Sequence, residues 1–231
     1  LAKYKQPGAV LAVLCEGQVY EVASGTINVV TNVKATTDSV FMIGSITKVL
    51  TATLVMQLVD EGKVDIDAVI GCYLPDLFGS GEGVYDQITV RQLISHTSGM
   101  HDLITHTTRG NNGVKYYVEE VSKCAPLHPP GELFSYNNAG FIVAGRIVEV
   151  IRGKSWHEAM RDHLLEPLGM DHTVTLPEHA IRFRAACGHY VSPDTGDPEL
   201  CSEVYWPFGM APAGTTVHAA ARDMIKFAKM H

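Results

Sequence analysis

A serine and a lysine three positions apart, Ser45 and Lys48, are the residues of this sequence best suited to covalent chemistry. If a helix begins at Ser45, the lysine side chain lies on the same face one turn later, within reach of the serine hydroxyl. Free backbone N–H groups at that end of the helix would stabilise negative charge on the serine oxygen. Burial of Lys48 among apolar residues would favour a neutral amine that can accept a proton. The spacing is compatible with a nucleophile and its activator, and also with a capping serine followed by an incidental lysine.

A second segment, Tyr136-Asn137-Asn138, carries groups that suit the same reaction. A phenol beside an ammonium group ionises more readily and can act as a general base, and an asparagine amide can bind a substrate carbonyl. The alternative is a half-buried tyrosine followed by an asparagine pair that caps a helix beginning at Ala139. Asn138 occupies the predicted N-cap position and could serve both purposes.

Histidines are the remaining candidates for chemistry. A Ser–His pair within His96-Thr97-Ser98-Gly99 is disfavoured, because residues this close along a turn rarely face each other and the chain has no GxSxG elbow. We predict a structural role for His96 in a tight turn. His101, Asp102 and His106 lie close in sequence but lack the HExxH spacing, so we predict packing or surface histidines and no metal site.

The hydrophobic pattern predicts the elements that must position these residues. Two β-rich runs flank Glu16-Gly17, which is typical of a hairpin, and the segment after Ser45 is apolar around the whole helical axis, which predicts a buried helix. The predicted elements are the hairpin, the buried helix and three further helices, at residues 8–25, 45–61, 139–152, 155–166 and 217–230.

Composition narrows the class of protein. The 231 residues carry a formal net charge of −7, and the 18 basic residues are scattered, which excludes a nucleic-acid partner. No run approaches the roughly 20 apolar residues that span a bilayer, so we predict no transmembrane segment. The five cysteines are widely spaced, which predicts small apolar core residues rather than disulfides or a zinc site.

Taken together, the segments resemble the serine β-lactamase and penicillin-binding-protein superfamily, and most closely its class C-like branch of AmpC-type β-lactamases, DD-peptidases and esterases. In chain order the matching segments are FMIGSITKVLTATLVMQLVDEGKVDID, ITVRQLISHTSGM, PPGELFSYNNAGF, LLEPLGMDHT and APAGTTVHAAARDMIKFA. The resemblance implies an α/β (α+β) fold with an antiparallel sheet flanked by helices. We expect an α/β subdomain at residues 1–61 and 201–231 and a mainly helical subdomain at residues 62–200.

The resemblance also implies a covalent mechanism without a metal or an organic cofactor. Ser45 would be acylated, Lys48 would assist its deprotonation, and Tyr136 would act as base and proton shuttle. Asn138 would bind the acyl amide or orient Lys48, and the backbone N–H of Ser45 would supply half of an oxyanion hole. The expected partner is a small-molecule or peptide substrate: a β-lactam, a D-peptide or a carboxylic ester. Of these, the carboxylic ester is preferred by a small margin. The alternatives are a non-catalytic penicillin-binding or sensor-like domain and an acyltransferase of the same fold.

The third motif of the superfamily, Lys-Thr-Gly or His-x-Gly on a strand, has no counterpart in residues 211–231. In the family that strand completes the sheet and supplies the second oxyanion N–H. We therefore expect the C-terminal strands to be missing from this chain: either the chain is a fragment, or a second chain or segment supplies them. We also expect the isolated chain of 231 residues to turn over substrate poorly.

Overall fold

The computed structural model describes residues 1–79, 83, 85–103, 112–202 and 207–231. Its contacts form two units, which are described separately: the first consists of Leu1–Ile43, Leu165–Trp206 and Val217–His231, and the second of Gly44–Leu164 and Pro207–Thr216. These boundaries differ from those of the predicted subdomains: residues 44–61 and 207–216 group with the helical second unit, and residues 165–200 group with the first unit.

The described residues of the first unit form three small antiparallel sheets. Its strands are β1 (Gly8–Cys15), β2 (Gln18–Asn28), β3 (Val33–Lys34), β4 (Phe41–Met42), β5 (Thr173–Val174), β6 (His189–Val191), β7 (Pro198–Leu200) and β8 (His218–Ala219). They pair in the orders β1-β2-β3, β4-β8-β5 and β6-β7. The predicted hairpin is confirmed as β1 and β2, with Glu16 and Gly17 at φ values of 49° and 80°. Two successive positive φ values suit a two-residue turn that matches the twist of the strands.

The second unit is built from helices around a central one. They are α1 (Thr47–Asp60), α2 (Pro75–Phe78), α3 (Val90–Ile94), α4 (Gly113–Val121), α5 (Asn138–Arg152) and α6 (Trp156–Met160), which is followed by a π-helical turn at Arg161–Leu165. The central helix α5 packs against α1, α3, α4, α6 and a 3₁₀ helix at Phe208–Ala213. Most of its apolar residues, among them Ile142 and Ile147, are fully buried, although Val150 near its C-terminus is 44% exposed; this packing fixes the position of its N-terminus.

The last two helices, α7 (Pro177–Ala180) and α8 (Ala221–Ala228), belong to the first unit, where α8 packs on β1 and β2. The helix predicted at residues 217–230 is therefore too long at its beginning. His218 and Ala219 instead form β8, because they pair with strands on both sides.

Two predictions about burial are wrong. Helix α1 is not enclosed on all sides, since Val49 and Met56 are 50% and 44% exposed while Leu50 and Leu54 are fully buried. Helix α1 packs against α5, α6 and the 3₁₀ helix at Phe208–Ala213, and these contacts leave Val49 and Met56 exposed, so apolar composition overestimated its burial. The cysteines are not core residues. Three are exposed, namely Cys15, Cys72 and Cys187, and two are half-buried, namely Cys124 and Cys201.

In the part of the chain that the structure describes, no helix has both the length and the apolarity needed to cross a membrane.

Candidate active site

Ser45 lies at the beginning of α1, in a 3₁₀ turn, Gly44–Ile46, that leads into the helix. The serine is exposed, whereas Lys48, in the first turn of α1, is only 4% exposed. The Lys48 Nζ lies 2.9 Å from Ser45 Oγ and donates a hydrogen bond to it. The predicted spacing therefore places a buried cation directly beneath a hydroxyl that solvent can reach.

Lys48 is held by two further oxygen atoms from distant parts of the second unit. Its Nζ donates to Asn138 Oδ1 at 2.8 Å and to the backbone carbonyl oxygen of Ala213 at 2.7 Å. A buried ammonium group is costly unless its hydrogens are paired, and these contacts supply the pairing. The same contacts fix the direction of Nζ toward Ser45.

Tyr136 covers Lys48 from one side. Its ring centroid lies 4.9 Å from Lys48 Nζ, within the range of a cation–π contact. Burial raises the pKa of Tyr136, but hydrogen bonding with Lys48 and Ser45 and the lysine charge outweigh it, so this pKa lies below its ordinary value. A phenol with a lowered pKa ionises more readily, and its phenolate form next to the serine hydroxyl is suited to accept a proton.

The imidazole ring of His96 packs against the ring of Tyr136. The two rings are stacked with centroids 4.3 Å apart and an angle of 26° between their planes. His96 Nδ1 accepts the backbone N–H of Asn137 at 3.0 Å, which places the ring proton on Nε2. Burial and the charge of Lys48 lower the pKa of His96 and favour this neutral form. With a φ of 60°, the residue occupies the left-handed region, in agreement with the predicted tight turn.

The two neighbouring asparagines, Asn137 and Asn138, have structural roles that differ from the predicted ones. Asn137, not Asn138, is the N-cap of α5, and its Oδ1 accepts the N–H of Gly140 at 2.7 Å. Asn138 is the first residue of the helix, and its amide bridges Lys48 and Asp102. The cap position moves back by one residue because the extended backbone of Asn137 lets its side chain reach the free N–H groups.

Sequence reasoning missed the Ala213-Gly214 segment. A Cβ on Gly214, whose φ is 122°, would lie 2.2 Å from the carbonyl oxygen of Gly44 and 2.9 Å from Ser45 N. Only a glycine permits this approach, which brings the Ala213 carbonyl group to Lys48. The one signal in the sequence was the Pro212-Ala213-Gly214 run, since a backbone carbonyl has no residue signature of its own.

Sequence reasoning also assigned no role to Asp102. The carboxylate contacts the beginning of α5 and the Asn138 side chain rather than a metal-binding histidine cluster. His101 is half-buried in the same loop, and His106 lies outside the described residues.

The structure thus brings together the four residues predicted for the site: Ser45, Lys48, Tyr136 and Asn138. All four belong to the second unit. Their chemical roles, and that of the Ser45 N–H as an oxyanion donor, remain predictions.

Comparison with known proteins identifies the class to which this arrangement belongs. The beta-lactamase family model matches residues 1–231, so the chain belongs to the beta-lactamase family. The chain is 42% identical over 229 residues to penicillin-binding protein 4 of Amycolatopsis lactamdurans, which covers 97% of this chain and 59% of that protein.

Solved structures of related proteins have the same fold as this chain. SurE superposes with a TM-score of 0.83 at 30% identity, covering 99% of this chain and 50% of SurE. The D-alanine carboxypeptidase AmpC of Burkholderia cenocepacia superposes with a TM-score of 0.78 at 25% identity, covering 99% of this chain and 60% of that one. The predicted β-lactamase-like α/β fold, with antiparallel sheets and flanking helices, is confirmed. The chain spans 50% to 60% of the length of these relatives.

Proposed function

We propose that this chain carries the acylation site of a penicillin-binding serine hydrolase, with Ser45 as the nucleophile. The observation that carries the proposal is the 2.9 Å contact between the exposed Ser45 hydroxyl and the buried Lys48 amine. Two oxygen atoms hold the other side of Lys48 Nζ, so the remaining direction on that nitrogen points at the hydroxyl. A nucleophile with an oriented base next to it is the arrangement that covalent catalysis requires.

The proposed reaction is acyl transfer from an amide to Ser45. As the bond between Oγ and the carbonyl carbon forms, the hydroxyl proton passes to whichever of the two neighbouring groups is deprotonated, the Lys48 amine or the Tyr136 phenolate. The same proton then goes to the leaving nitrogen as the carbon–nitrogen bond breaks. In hydrolysis, water attacks the carbonyl carbon of the ester and loses a proton to the same base. The base passes that proton to Oγ as the bond between the carbon and Oγ breaks, which releases the acid and frees Ser45.

The proposed substrate class is a β-lactam or a peptide that ends in D-alanine. Support comes from the relatives, one named as a penicillin-binding protein and one as a D-alanine carboxypeptidase. Both compounds present an amide carbonyl to a serine hydroxyl, and a β-lactam adds ring strain that favours acylation. The preference for a simple ester, expected by a small margin from the sequence, gives way to the amide on this support.

Intact-mass spectrometry after incubation with a fluorescent penicillin tests the proposal. We expect the protein to gain the mass of one probe molecule, and Ser45→Ala to abolish this gain. Ser24→Ala, which changes an exposed serine of β2, is the matched control and should still be labelled. Absence of an adduct on the unaltered chain, or labelling that survives Ser45→Ala, would contradict the proposal.

The lifetime of the adduct separates a hydrolase from a non-catalytic penicillin-binding domain. Removal of free probe, followed by mass measurement over time, gives the deacylation rate. An adduct that decays with recovery of the free mass indicates hydrolysis, and one that persists indicates a binding or sensing role.

A further inference from the structure

Asp102 is a carboxylate whose two oxygen atoms have separate partners. Oδ1 accepts the backbone N–H groups of Asn138 and Ala139, at 2.9 Å and 3.1 Å. Oδ2 accepts a hydrogen bond from the side-chain nitrogen of Asn138 at 2.8 Å. One oxygen therefore binds the beginning of α5, and the other binds the amide that contacts Lys48.

The charges on either side of the amide determine its orientation. Lys48 can only donate hydrogen bonds, and a carboxylate can only accept them. The amide oxygen of Asn138 must therefore face Lys48 and its nitrogen must face Asp102, as the distances of 2.8 Å on each side require. In the opposite orientation, two donors would meet at Lys48 and two acceptors would meet at Asp102.

We propose that Asp102 is a positioning residue for acylation, because it holds the Asn138 amide with its oxygen toward Lys48. The inference rests on the proposed function, since Asp102 acts on Lys48 through Asn138 and touches neither Ser45 nor substrate. Charge-assisted hydrogen bonds on both sides of the amide give it one orientation, and that orientation keeps Lys48 Nζ directed at Ser45 Oγ.

A helix cap alone does not account for the geometry. The N-cap function at α5 already belongs to Asn137, whose side chain accepts the N–H of Gly140. Oδ1 of Asp102 adds two further backbone contacts, but Oδ2 serves only the amide. A substitution that changes one oxygen can therefore separate the contact with the beginning of α5 from the contact with the Asn138 amide.

Asp102→Asn makes that change. Its remaining oxygen can still accept the two backbone N–H groups, while its new NH₂ group faces the nitrogen of Asn138. Asn138 must then rotate and present its own NH₂ group to Lys48, where a hydrogen-bond acceptor is needed. We expect the second-order rate constant for acylation by a fluorescent penicillin to fall by roughly 10- to 100-fold, as misplaced reacting groups commonly cause. The melting temperature should stay close to that of the unaltered protein.

Asp67→Asn is the matched control. Asp67 forms an exposed pair with Arg91 in the same unit, at 2.7 Å, so the substitution removes the same charge away from the site. We expect its acylation rate to equal that of the unaltered protein. A purely structural role for Asp102 would instead lower the melting temperature and leave the rate per folded molecule unchanged.

A reciprocal exchange gives a second, independent measurement. Asn138→Asp alone places two carboxylates face to face, whereas Asp102→Asn with Asn138→Asp restores one donor, one acceptor and an oxygen facing Lys48. If the two substitutions acted independently, their fold-reductions in the acylation rate would multiply. We expect the double variant to acylate at least about fivefold faster than that product, since the effects of substitutions at residues in contact are not additive. If Asp102→Asn folds poorly, comparison of the double variant with Asn138→Asp gives the same test.

The outcomes separate this inference from the proposed function. An unaltered acylation rate in Asp102→Asn, or additive effects in the double variant, would overturn the positioning role while Ser45 labelling stands. Absence of a Ser45 adduct on the unaltered protein would overturn the proposed function and the role of Asp102 with it.

Discussion

The two ends of helix α5 each hold a buried charged group, and they differ in what that charge contacts. At the N-terminal end, Lys48 contacts Asn138 and the exposed hydroxyl of Ser45. At the C-terminal end, Glu149 is 5% exposed, and its oxygens accept from Arg146 at 2.8 Å and from the backbone N–H of Trp156 at 3.0 Å. The charge at the N-terminal end is directed at a reactive group, and the charge at the C-terminal end joins two segments of the chain.

The comparison shows that a buried charge does not by itself mark a functional site. Burial raises the pKa of Glu149, against the opposing effects of Arg146 and the Trp156 N–H. A buried carboxyl group with a raised pKa in a helical domain could be taken for a catalytic acid. Its partners, however, are a neighbouring arginine and a backbone group that begins α6, so the geometry assigns it to the packing of α5 against α6.

Lys48→Met, at the N-terminal end of α5, should have the largest effect of these substitutions, and the quantity it changes is the acylation rate. The substitution keeps much of the buried volume but removes the amine, leaving Ser45 without its oriented base. We expect the acylation rate to fall by on the order of 10³-fold, within the range attributed to general acid–base catalysis. The measurement is the rate of labelling by a fluorescent penicillin, followed by intact mass.

Circular dichroism of the same variant is the control, because the oxygens of Asn138 and Ala213 lose a donor and the melting temperature should fall somewhat. A folded Lys48→Met protein that acylates at the unaltered rate would show that the N-terminal end is structural, like the C-terminal end.

The sequence predicted the reactive end of α5 better than its surroundings, for physical reasons. Ser45 and Lys48 lie within one helical turn, so their spacing alone brings them together. The hairpin followed from the two β-rich runs on either side of Glu16-Gly17, where the glycine suits a positive φ value. Contacts set by local geometry leave a pattern in the sequence.

Contacts between distant segments leave no such pattern. Asp102 and Asn138 are 36 positions apart, and the Ala213 carbonyl is 165 positions from Lys48. A backbone oxygen can come from any residue type. Asp102 was considered only together with two nearby histidines, whose spacing does not suit a metal site, and so it was assigned no role. The burial of Cys15 and Val49 was overestimated for a related reason: residue type indicates a preference, whereas packing decides which face is covered.

Glu149→Ala should produce the reverse of the Lys48 result. Removal of the carboxylate leaves the Trp156 N–H buried without its acceptor and Arg146 without its partner. We expect the free energy of unfolding to fall by about 2 kcal/mol, less than for a fully buried pair because Arg146 is partly exposed. Urea unfolding measures the loss, and the acylation rate per folded molecule should remain unchanged.

Glu149→Gln is the matched control for this variant, since the amide oxygen can still accept from Trp156 and the loss of stability should be smaller. A parallel fall of the acylation rate in both Glu149 variants would show that the C-terminal end of α5 also acts on the site, and the distinction between the two ends would fail.

Glu61→Gln should give the smallest effect and one that depends on pH. Glu61 follows α1 and pairs with Arg152 at the C-terminal end of α5, with distances of 2.9 Å and 2.7 Å. Hydrogen bonds from Arg152 and then Lys63 lower its pKa from 4.5 to about 2. Because the folded-state pKa is lower than the unfolded one, the pair stabilises the protein above pH 4.5, and this contribution is lost as the pH falls toward 2.

The difference in unfolding free energy between the unaltered protein and Glu61→Gln, measured by urea at several pH values, should therefore shrink between pH 4.5 and 2. Glu61 is 36% exposed, although the Arg152 side chain is only 8% exposed, so the difference should be small and should decrease with added salt. A difference that stays constant or grows as the pH falls would contradict the assignment. Acylation measured at neutral pH should match that of the unaltered protein, because this ion pair joins α1 to α5 at the end away from Ser45 and bears on stability alone.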